Sequence, residues 1–113
     1  MAIYAVEGLP DAPLAAAARF HAHHVPLIEQ AAAAGAGLTI VFPAADHTHR
    51  GWRLAAVQML ARALAPLRIN ALSGGSSAAV GAAADYLARA PGLTGQLISL
   101  DDAGAGVVLP LRP

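Results

Sequence analysis

The stretch "HRGWRLAAVQMLARALAPLRINALSGG", residues 49–75, decides the fold of this chain. Its first part predicts an amphipathic helix, because the larger apolar side chains recur at helical spacing while Arg53 and Arg62 fall off their stripe. The stripe consists of residues 52, 54, 57, 60, 61 and 64. "LRINAL" (67–72) has the composition of a buried strand, and "SGGS" has that of a turn. The stretch therefore predicts a surface helix that runs into a buried strand and then a glycine turn.

The same alternation of helix and strand continues on both sides of this stretch. Three further buried strands are predicted at residues 2–6, 38–42 and 96–100. The predicted helices span about residues 12–34, 50–65 and 76–90, and residues 107–113 are expected to form a short extended tail. The order βαβαβαβ with short connections is typical of an α/β domain in which the strands are parallel and the helices form the crossovers.

Local signals mark the ends of these helices. Asp11 is predicted to cap the first helix, and Pro26 is predicted to kink that helix about one turn upstream. Gly35 has the place of the residue just past the end of a helix, where glycine is common. Ser76 or Ser77 is predicted to cap the third helix.

The composition predicts one domain, residues 1–113, with more apolar surface than it can bury. The hydrophobic fraction is 57% and only 12% of the residues are charged, whereas soluble chains carry roughly a quarter charged residues. A domain of this length leaves a large share of its surface in water. Part of the apolar surface is therefore expected to cover a partner.

Charge and cysteine content exclude several classes of function. The formal charge is zero and the pI is near 7.0, which gives no electrostatic footprint for nucleic acid or an anionic membrane. Cysteine is absent, so disulfides, thiolate metal sites and thiol catalysis are excluded. The sequence predicts neither a signal peptide nor a membrane span. A cytoplasmic protein is expected.

Two stretches carry a resemblance to a known family. "AAVQMLARALAPLRINALSGG" and "VGAAADYLARAPGLTGQLISLDDAG" resemble the second half of short-chain dehydrogenases/reductases, and the similarity is strongest over residues 54–104. The resemblance implies a Rossmann-like fold of two or three layers with about four parallel strands. It also implies descent from NAD(P)-dependent oxidoreductases that act on carbonyl substrates.

The sequence departs from the family's pattern wherever the family binds its cofactor. The nucleotide-binding half, with its glycine-rich turn, is expected to be missing. No cofactor is therefore predicted, except NAD(P) supplied by a partner subunit. The substrate-side positions have changed as well. "PAAD" follows the second strand where the family has a serine, and His24 stands about where the family has an asparagine.

The family's catalytic tyrosine and lysine, four residues apart, are also replaced. The resemblance puts Arg50 at the tyrosine place and Leu54 at the lysine place, and a shift of one residue gives His49 and Arg53 instead. The chain contains no lysine, and an arginine cannot release a proton near neutral pH. A catalytically inactive protein is predicted, and an oxidoreductase of the family's type is expected if the chain is an enzyme after all.

The histidines are the remaining candidates for chemistry. His21 and His24 are weak candidates for a metal site, because two histidines one turn apart still need further ligands. His49 with Asp46 is a weaker candidate for an acid–base pair. A residual pocket near His24, His49 and Arg53 is predicted to bind a small anion or heterocycle if the chain binds any ligand. That alternative includes a residual reductase resembling the pteridine- or ketoacyl-reductase branches.

We expect the chain to act through assembly, as a homo-oligomer or as a non-catalytic subunit of a short-chain dehydrogenase-type reductase. The strand at 2–6 is expected to leave a bare sheet edge, and one sheet face is expected to be partly uncovered. By resemblance, helices 12–34 and 50–65 would form a four-helix bundle with one neighbour, while the last helix and strand would meet another. The predicted interface residues are Leu27, Trp52, Val57, Leu60 and Leu64.

Overall fold

The computed structural model describes residues 2–101, and the tail predicted at 107–113 lies outside them. Helices and strands alternate along the chain, as predicted. The strands are β1 (Ala2–Ala5), β2 (Gly37–Phe42), β3 (Arg68–Gly74) and β4 (Leu97–Leu100). The helices are α1 (Pro13–Arg19), a π-helical segment (Phe20–His24), α2 (Val25–Gly35), a 3-10 turn (His47–His49), α3 (Arg50–Ala63) and α4 (Ser77–Ala88).

The four strands form one sheet in the order β1-β2-β3-β4, and all three pairings are parallel. The predicted α/β class with a Rossmann-like parallel sheet is thereby confirmed. β1 and β4 are the edge strands of the sheet within residues 2–101. None of the helices in this range combines the length and the apolar character that a transmembrane span needs.

The first predicted helix is interrupted, because Pro26 cannot take part in regular α-helical hydrogen bonding. Proline has no N–H group and its ring clashes with the carbonyl four residues earlier. A π-helical turn forms immediately upstream of Pro26, and in it the Val25 N–H donates to the Phe20 carbonyl, five residues earlier. The predicted kink is therefore a π-helical segment, and it buries Phe20 and His24.

Two of the predicted helix ends are wrong by one residue. Ala12, not Asp11, is the N-cap of α1, and it forms no side-chain cap. α2 runs through Gly35, and Ala36 adopts the left-handed conformation at φ 60°. Gly35, the residue before Ala36, is required to be glycine for a different reason: a Cβ on Gly35 would lie 2.9 Å from the Ala2 Cβ.

The N-cap of α4 is Ser76, one of the two residues predicted for that place. Its side chain accepts from the Ala79 N–H.

The larger core lies on one side of the sheet, called here the covered face, which packs against α2 and α3. Alternate strand residues point to opposite sides of a sheet, and the residues on this side are paired across the register, as Leu38 is with Ile69. Phe20 and Ile28 from the first helical region meet Val57 from α3 in the same cluster, and all three are completely buried. This face is closed from β1 to β3.

The other side of the sheet, called here the open face, is covered by α4 alone among the elements of residues 2–101. Leu72 of β3 forms a separate small core there with Ala84 and Leu87 of α4. Towards β1 this cover ends: Ile3 is 55% exposed, and the Ala5 side chain is exposed too. The predicted partly uncovered face is therefore the β1 end of the open face, within residues 2–101.

Arg68 and Asn70 of β3 connect the end of α4 to the start of β4. The Arg68 guanidinium donates from Nη1 to the Leu87 and Ala90 carbonyls, both at 2.9 Å, and so satisfies the end of α4. The buried Asn70 side chain donates to the Leu93 carbonyl and accepts from the Gln96 N–H, each at 3.0 Å. These residues serve the fold, because they fix the loop that returns the chain to β4.

Candidate functional site

A cavity of about 220 Å³ lies at the carboxyl ends of β2, β3 and β4, and we call it the strand-end cavity. In open parallel sheets ligands bind at the carboxyl ends of the strands. The site is therefore where an α/β fold would be expected to place its chemistry. The cavity is lined by Ala45, Asp46, His47, His49, Arg50, Arg53, Ser73, Leu97 and Ser99.

Arg53 is the central side chain of this cavity. It is only 4% exposed, so its predicted position off the buried stripe of α3 is wrong. Its Nη1 donates to the Pro43 carbonyl at 2.9 Å and to the Ser73 Oγ at 3.1 Å. The guanidinium carbon lies 4.5 Å from the centre of the Phe42 ring, a distance at which a cation is attracted to an aromatic face. These contacts explain how a charged residue fits among apolar neighbours.

The positive charge of Arg53 is not neutralised inside the described part of the chain. No carboxylate in residues 2–101 forms an ion pair with it, and its buried Nε has no hydrogen-bond partner there. Burial lowers the pKa of Arg53, because desolvation disfavours the charged form. An arginine nevertheless stays protonated at neutral pH.

His49 is held in place by both of its ring nitrogens. Its Nε2 donates to the Asp11 carbonyl at 2.9 Å, and its Nδ1 accepts from the Trp52 Nε1 at 3.0 Å. The side chain is 7% exposed. Because both nitrogens are already bonded, His49 serves here to tie the start of α1 to the start of α3.

Asp46 does not pair with His49, although both line the cavity. The Asp46 Oδ1 accepts from both the Oγ1 and the backbone N–H of Thr48. These two hydrogen bonds lower the pKa of Asp46, with smaller contributions from His49 and His47. The carboxylate therefore caps the 3-10 turn instead of orienting a histidine for acid–base chemistry.

His24 lies away from the cavity, in a second hydrogen-bonded cluster. Its Nε2 donates to the Glu7 carbonyl at 3.0 Å, and its Nδ1 accepts from the Tyr4 hydroxyl at 2.8 Å. Burial is the largest cause that lowers the pKa of His24. Its predicted neighbour His21 is exposed and bonds to the Ala17 carbonyl. The structure therefore does not bring His24 together with His49 and Arg53 in one pocket.

The two predicted metal ligands, His21 and His24, lie in different environments. His24 has both ring nitrogens engaged, whereas His21 faces solvent on the same helical region. Within residues 2–101, no group of three or more histidine, cysteine, aspartate or glutamate side chains is arranged to hold a metal ion.

The two possible positions of the family's catalytic pair in this chain, Arg50 with Leu54 and His49 with Arg53, differ in whether both residues line the cavity. Arg50 lines the cavity and is exposed, but Leu54, its partner in that register, does not line it. In the shifted register both His49 and Arg53 line the cavity. The 3-10 turn and the first turn of α3 thus face the strand ends, with side chains of a different chemistry from the family's tyrosine and lysine.

A family model described as a short chain dehydrogenase-like protein matches residues 4–100. The chain belongs to this family. The match begins within β1 and ends at the last residue of β4, so the short chain dehydrogenase-like fold accounts for nearly all of the described residues. No curated protein and no solved structure is significantly similar to the chain.

Membership of a dehydrogenase-like family raises the question of whether the strand-end cavity fits a nicotinamide dinucleotide. Its volume of about 220 Å³ is below the roughly 300–1,000 Å³ of pockets that enclose drug-sized ligands. The family resemblance implies that a lysine holds the nicotinamide ribose, and the chain has no lysine: Leu54 or, in the shifted register, Arg53 stands at that place. The residues of this cavity therefore do not fit the cofactor.

The predicted interface residues occupy different environments in this short chain dehydrogenase-like chain. Val57 is completely buried and Leu60 is 6% exposed, so neither has appreciable surface for a partner. Trp52 and Leu64 are half-buried and pack against the core of the covered face. Leu27 is 42% exposed and remains on the surface.

Sequence reasoning missed two serines of the cavity and the most exposed apolar side chains. Ser73 was assigned to a turn, but β3 continues to Gly74 and directs the Ser73 hydroxyl at Arg53. Ser99 lines the cavity from β4. Among the described residues, the large apolar side chains that are most exposed belong to Leu14, Tyr86, Ile3 and Met59. Strand parity could have indicated the serines, but exposure depends on how far each helix covers the sheet.

Proposed function

We propose that this short chain dehydrogenase-like protein acts without catalysis, by assembling with a protein chain of the same fold. The partner is a second copy or a different subunit of the family that carries the active site. The observation that carries this proposal is the uncovered β1 end of the open face, where Ile3 is 55% exposed.

The incomplete cover of β1 departs from the way in which parallel sheets are usually stabilised. Strands of parallel sheets are normally covered on both faces, because the crossover helices lie there. β1 is covered on one face only and is also an edge strand, with no neighbour beyond it in residues 2–101. An exposed apolar edge strand is a template for pairing with another chain. A partner that packs against Ile3 and Ala5 would close the open face of β1.

The helices of the covered face offer a second apolar surface. Leu14 of α1 is 88% exposed, Met59 of α3 is 54% exposed, and Leu27 of α2 is 42% exposed. Leu14 and Met59 belong to elements that touch one another within the chain. These side chains would be available to the four-helix bundle that the family resemblance implies.

The absence of catalysis is supported by the chemistry of the strand-end cavity. The family's reaction needs a side chain that exchanges a proton with the substrate and a lysine beside it. Here His49 is bonded through both ring nitrogens, and Arg53 and Arg50 do not exchange protons near neutral pH. Tyr4 is engaged with His24, and Tyr86 lies on the surface of α4.

Sedimentation equilibrium of the chain, purified alone and after co-expression with a short-chain reductase subunit, tests the proposal. We expect a dimer or a mixed complex. Ile3→Thr keeps a β-branched residue in the strand but removes apolar surface, and it should weaken association at least about tenfold, which corresponds to about 1.4 kcal/mol.

The matched control for this experiment is Leu14→Thr, which removes an even more exposed apolar side chain on the covered-face side. If association weakens in Ile3→Thr alone, β1 is the interface. If it weakens in Leu14→Thr alone, assembly persists but uses the helices. A chain that sediments as a monomer under both conditions refutes assembly, and turnover of NADPH by the purified chain refutes the claim of inactivity.

A further inference from the structure

The strand-end cavity contains a buried cation without a counter-charge. Charged side chains are almost never fully buried unless they are paired, because leaving water costs a lone ion several kcal/mol. Arg53 is 4% exposed, and no carboxylate in residues 2–101 pairs with it. The contacts within residues 2–101 therefore leave the positive charge of Arg53 without a compensating negative charge.

The contacts that Arg53 does make stabilise this charge without neutralising it. The Pro43 carbonyl and the Ser73 hydroxyl are neutral acceptors, and both bond to the same nitrogen, Nη1. The Phe42 ring attracts the guanidinium through its quadrupole but carries no net charge. Nη1 makes both side-chain hydrogen bonds of the guanidinium within residues 2–101, and the buried Nε makes none.

The surroundings of Arg53 add to the positive charge at the cavity. Arg50 lines the same cavity one turn earlier on α3. The single carboxylate among the lining residues is Asp46, whose Oδ1 is already engaged by Thr48. Two arginines against one carboxylate leave a net positive lining.

We infer that the strand-end cavity binds one small oxyanion, which lies between Arg53 and Arg50 and accepts from the cavity's serine hydroxyls. Carboxylate and phosphate oxygens are the acceptors that guanidinium groups bind most strongly. The volume of about 220 Å³ is below that of pockets that enclose drug-sized ligands, roughly 300–1,000 Å³. That space admits a short monocarboxylate or inorganic phosphate. The site is independent of the assembly proposed above.

Isothermal titration calorimetry of the full-length chain at constant ionic strength tests this inference, with acetate, pyruvate and inorganic phosphate titrated separately against a chloride background. We expect saturable binding with one site per chain. The carboxylate and phosphate arms show which oxyanion geometry the site prefers. Absence of saturable binding in all arms overturns the inference.

Arg50→Gln is the decisive variant, because Arg50 is exposed and its replacement should not affect folding. It should weaken oxyanion binding about tenfold, the order expected for one lost hydrogen bond to a charged group. Arg53→Lys, which keeps the charge but loses the planar fork, should weaken binding as well. Arg62→Gln, an exposed arginine of α3 that does not line this cavity, is the matched control. Equal affinity in Arg50→Gln and Arg62→Gln overturns the inference.

One further variant separates an external anion from one within the chain. Asp102 is the only aspartate or glutamate side chain outside residues 2–101. If oxyanion binding appears in Asp102→Asn but not in the wild type, the chain's own carboxylate occupies the site and the inference of an external ligand is overturned. Unchanged binding in Asp102→Asn supports it.

Discussion

The two faces of one sheet differ in how completely they are covered. On the covered face, Phe20, Ile28 and Val57 join strand residues in one continuous core and are completely excluded from solvent. On the open face, α4 covers β3 and its neighbours with a small core around Leu72 and Leu87, while Ile3 at the far edge stays exposed. Stability should therefore be concentrated on the covered face, and the proposed assembly is expected to use the exposed β1 end of the open face first.

The largest expected effect is on the covered face. Phe20→Ala should lower the free energy of unfolding by about 4 kcal/mol, because it leaves a cavity where the ring now packs. The Phe20 ring centre lies 5.4 Å from that of Phe42 and 5.5 Å from that of Trp52, so several partners lose contact together. Urea unfolding monitored by circular dichroism measures the change. A loss below about 1 kcal/mol would contradict a continuous core on this face.

Leu87→Ala tests the smaller core of the open face. Leu87 is completely buried, but its cluster has only two other buried members, Leu72 and Ala84. A small cluster at the sheet surface can relax around the lost volume, so we expect about 2–3 kcal/mol, at the low end of the range for leucine. Tyr86→Ala, at an exposed neighbouring position, is the control and should change stability by less than about 0.5 kcal/mol. A cost for Leu87→Ala equal to that of Phe20→Ala would remove the difference between the faces.

The hydrogen-bonded pair of Tyr4 and His24 gives the covered face a pH dependence. The pKa of His24 in the folded protein is lowered from its ordinary value of 6.5, chiefly by burial. The unfolded chain therefore takes up the proton first, so this contribution to stability is present above 6.5 and is lost as the pH falls towards the lower folded value.

His24→Gln isolates this contribution. The wild type should lose stability between about pH 7.5 and about pH 5, and the variant should lose less, because it has no imidazole to protonate at this position. Urea midpoints at the two pH values measure the difference. His21→Gln, at an exposed position of the same π-helical segment, is the control and should keep the wild-type profile. An identical profile in His24→Gln would show that His24 does not contribute.

Ile3→Thr should have the smallest effect on the stability of the single chain. Ile3 is more than half exposed, so its replacement should change the free energy of unfolding by less than about 0.5 kcal/mol at a concentration where the chain is monomeric. Urea unfolding at low protein concentration measures this. A loss of several kcal/mol would mean that Ile3 is buried by its own chain, which would break the distinction between the two faces.

The sequence predicted the order of elements well, because that order follows from local periodicity and composition. Strands rich in branched residues and helices with apolar stripes indicated the α/β class. The family resemblance agrees with the family model that matches residues 4–100. Ser76, one of the two residues predicted to cap the third helix, is the N-cap of α4. The apolar pattern of α3 was less reliable: Arg53 was placed off the buried stripe but is buried, since the Pro43 carbonyl, the Ser73 hydroxyl and the Phe42 ring receive it.

The candidate site was only partly predictable. His49 and Arg53 were predicted to share a pocket, and both line the strand-end cavity, whereas His24 was predicted there and belongs to a separate cluster with Tyr4. The π-helical segment turns His24 inward towards β1, and no spacing rule for a regular helix would give that direction.

By itself the sequence determined the parallel α/β fold and the absence of lysine and cysteine chemistry, because residue type and local periodicity are properties of the chain alone. Only the tertiary structure decided that Arg53 is buried without a carboxylate in residues 2–101 and that β1 is uncovered on one face. Both depend on which distant elements come to lie against a residue, and contacts between distant elements are set by packing, which no local pattern encodes.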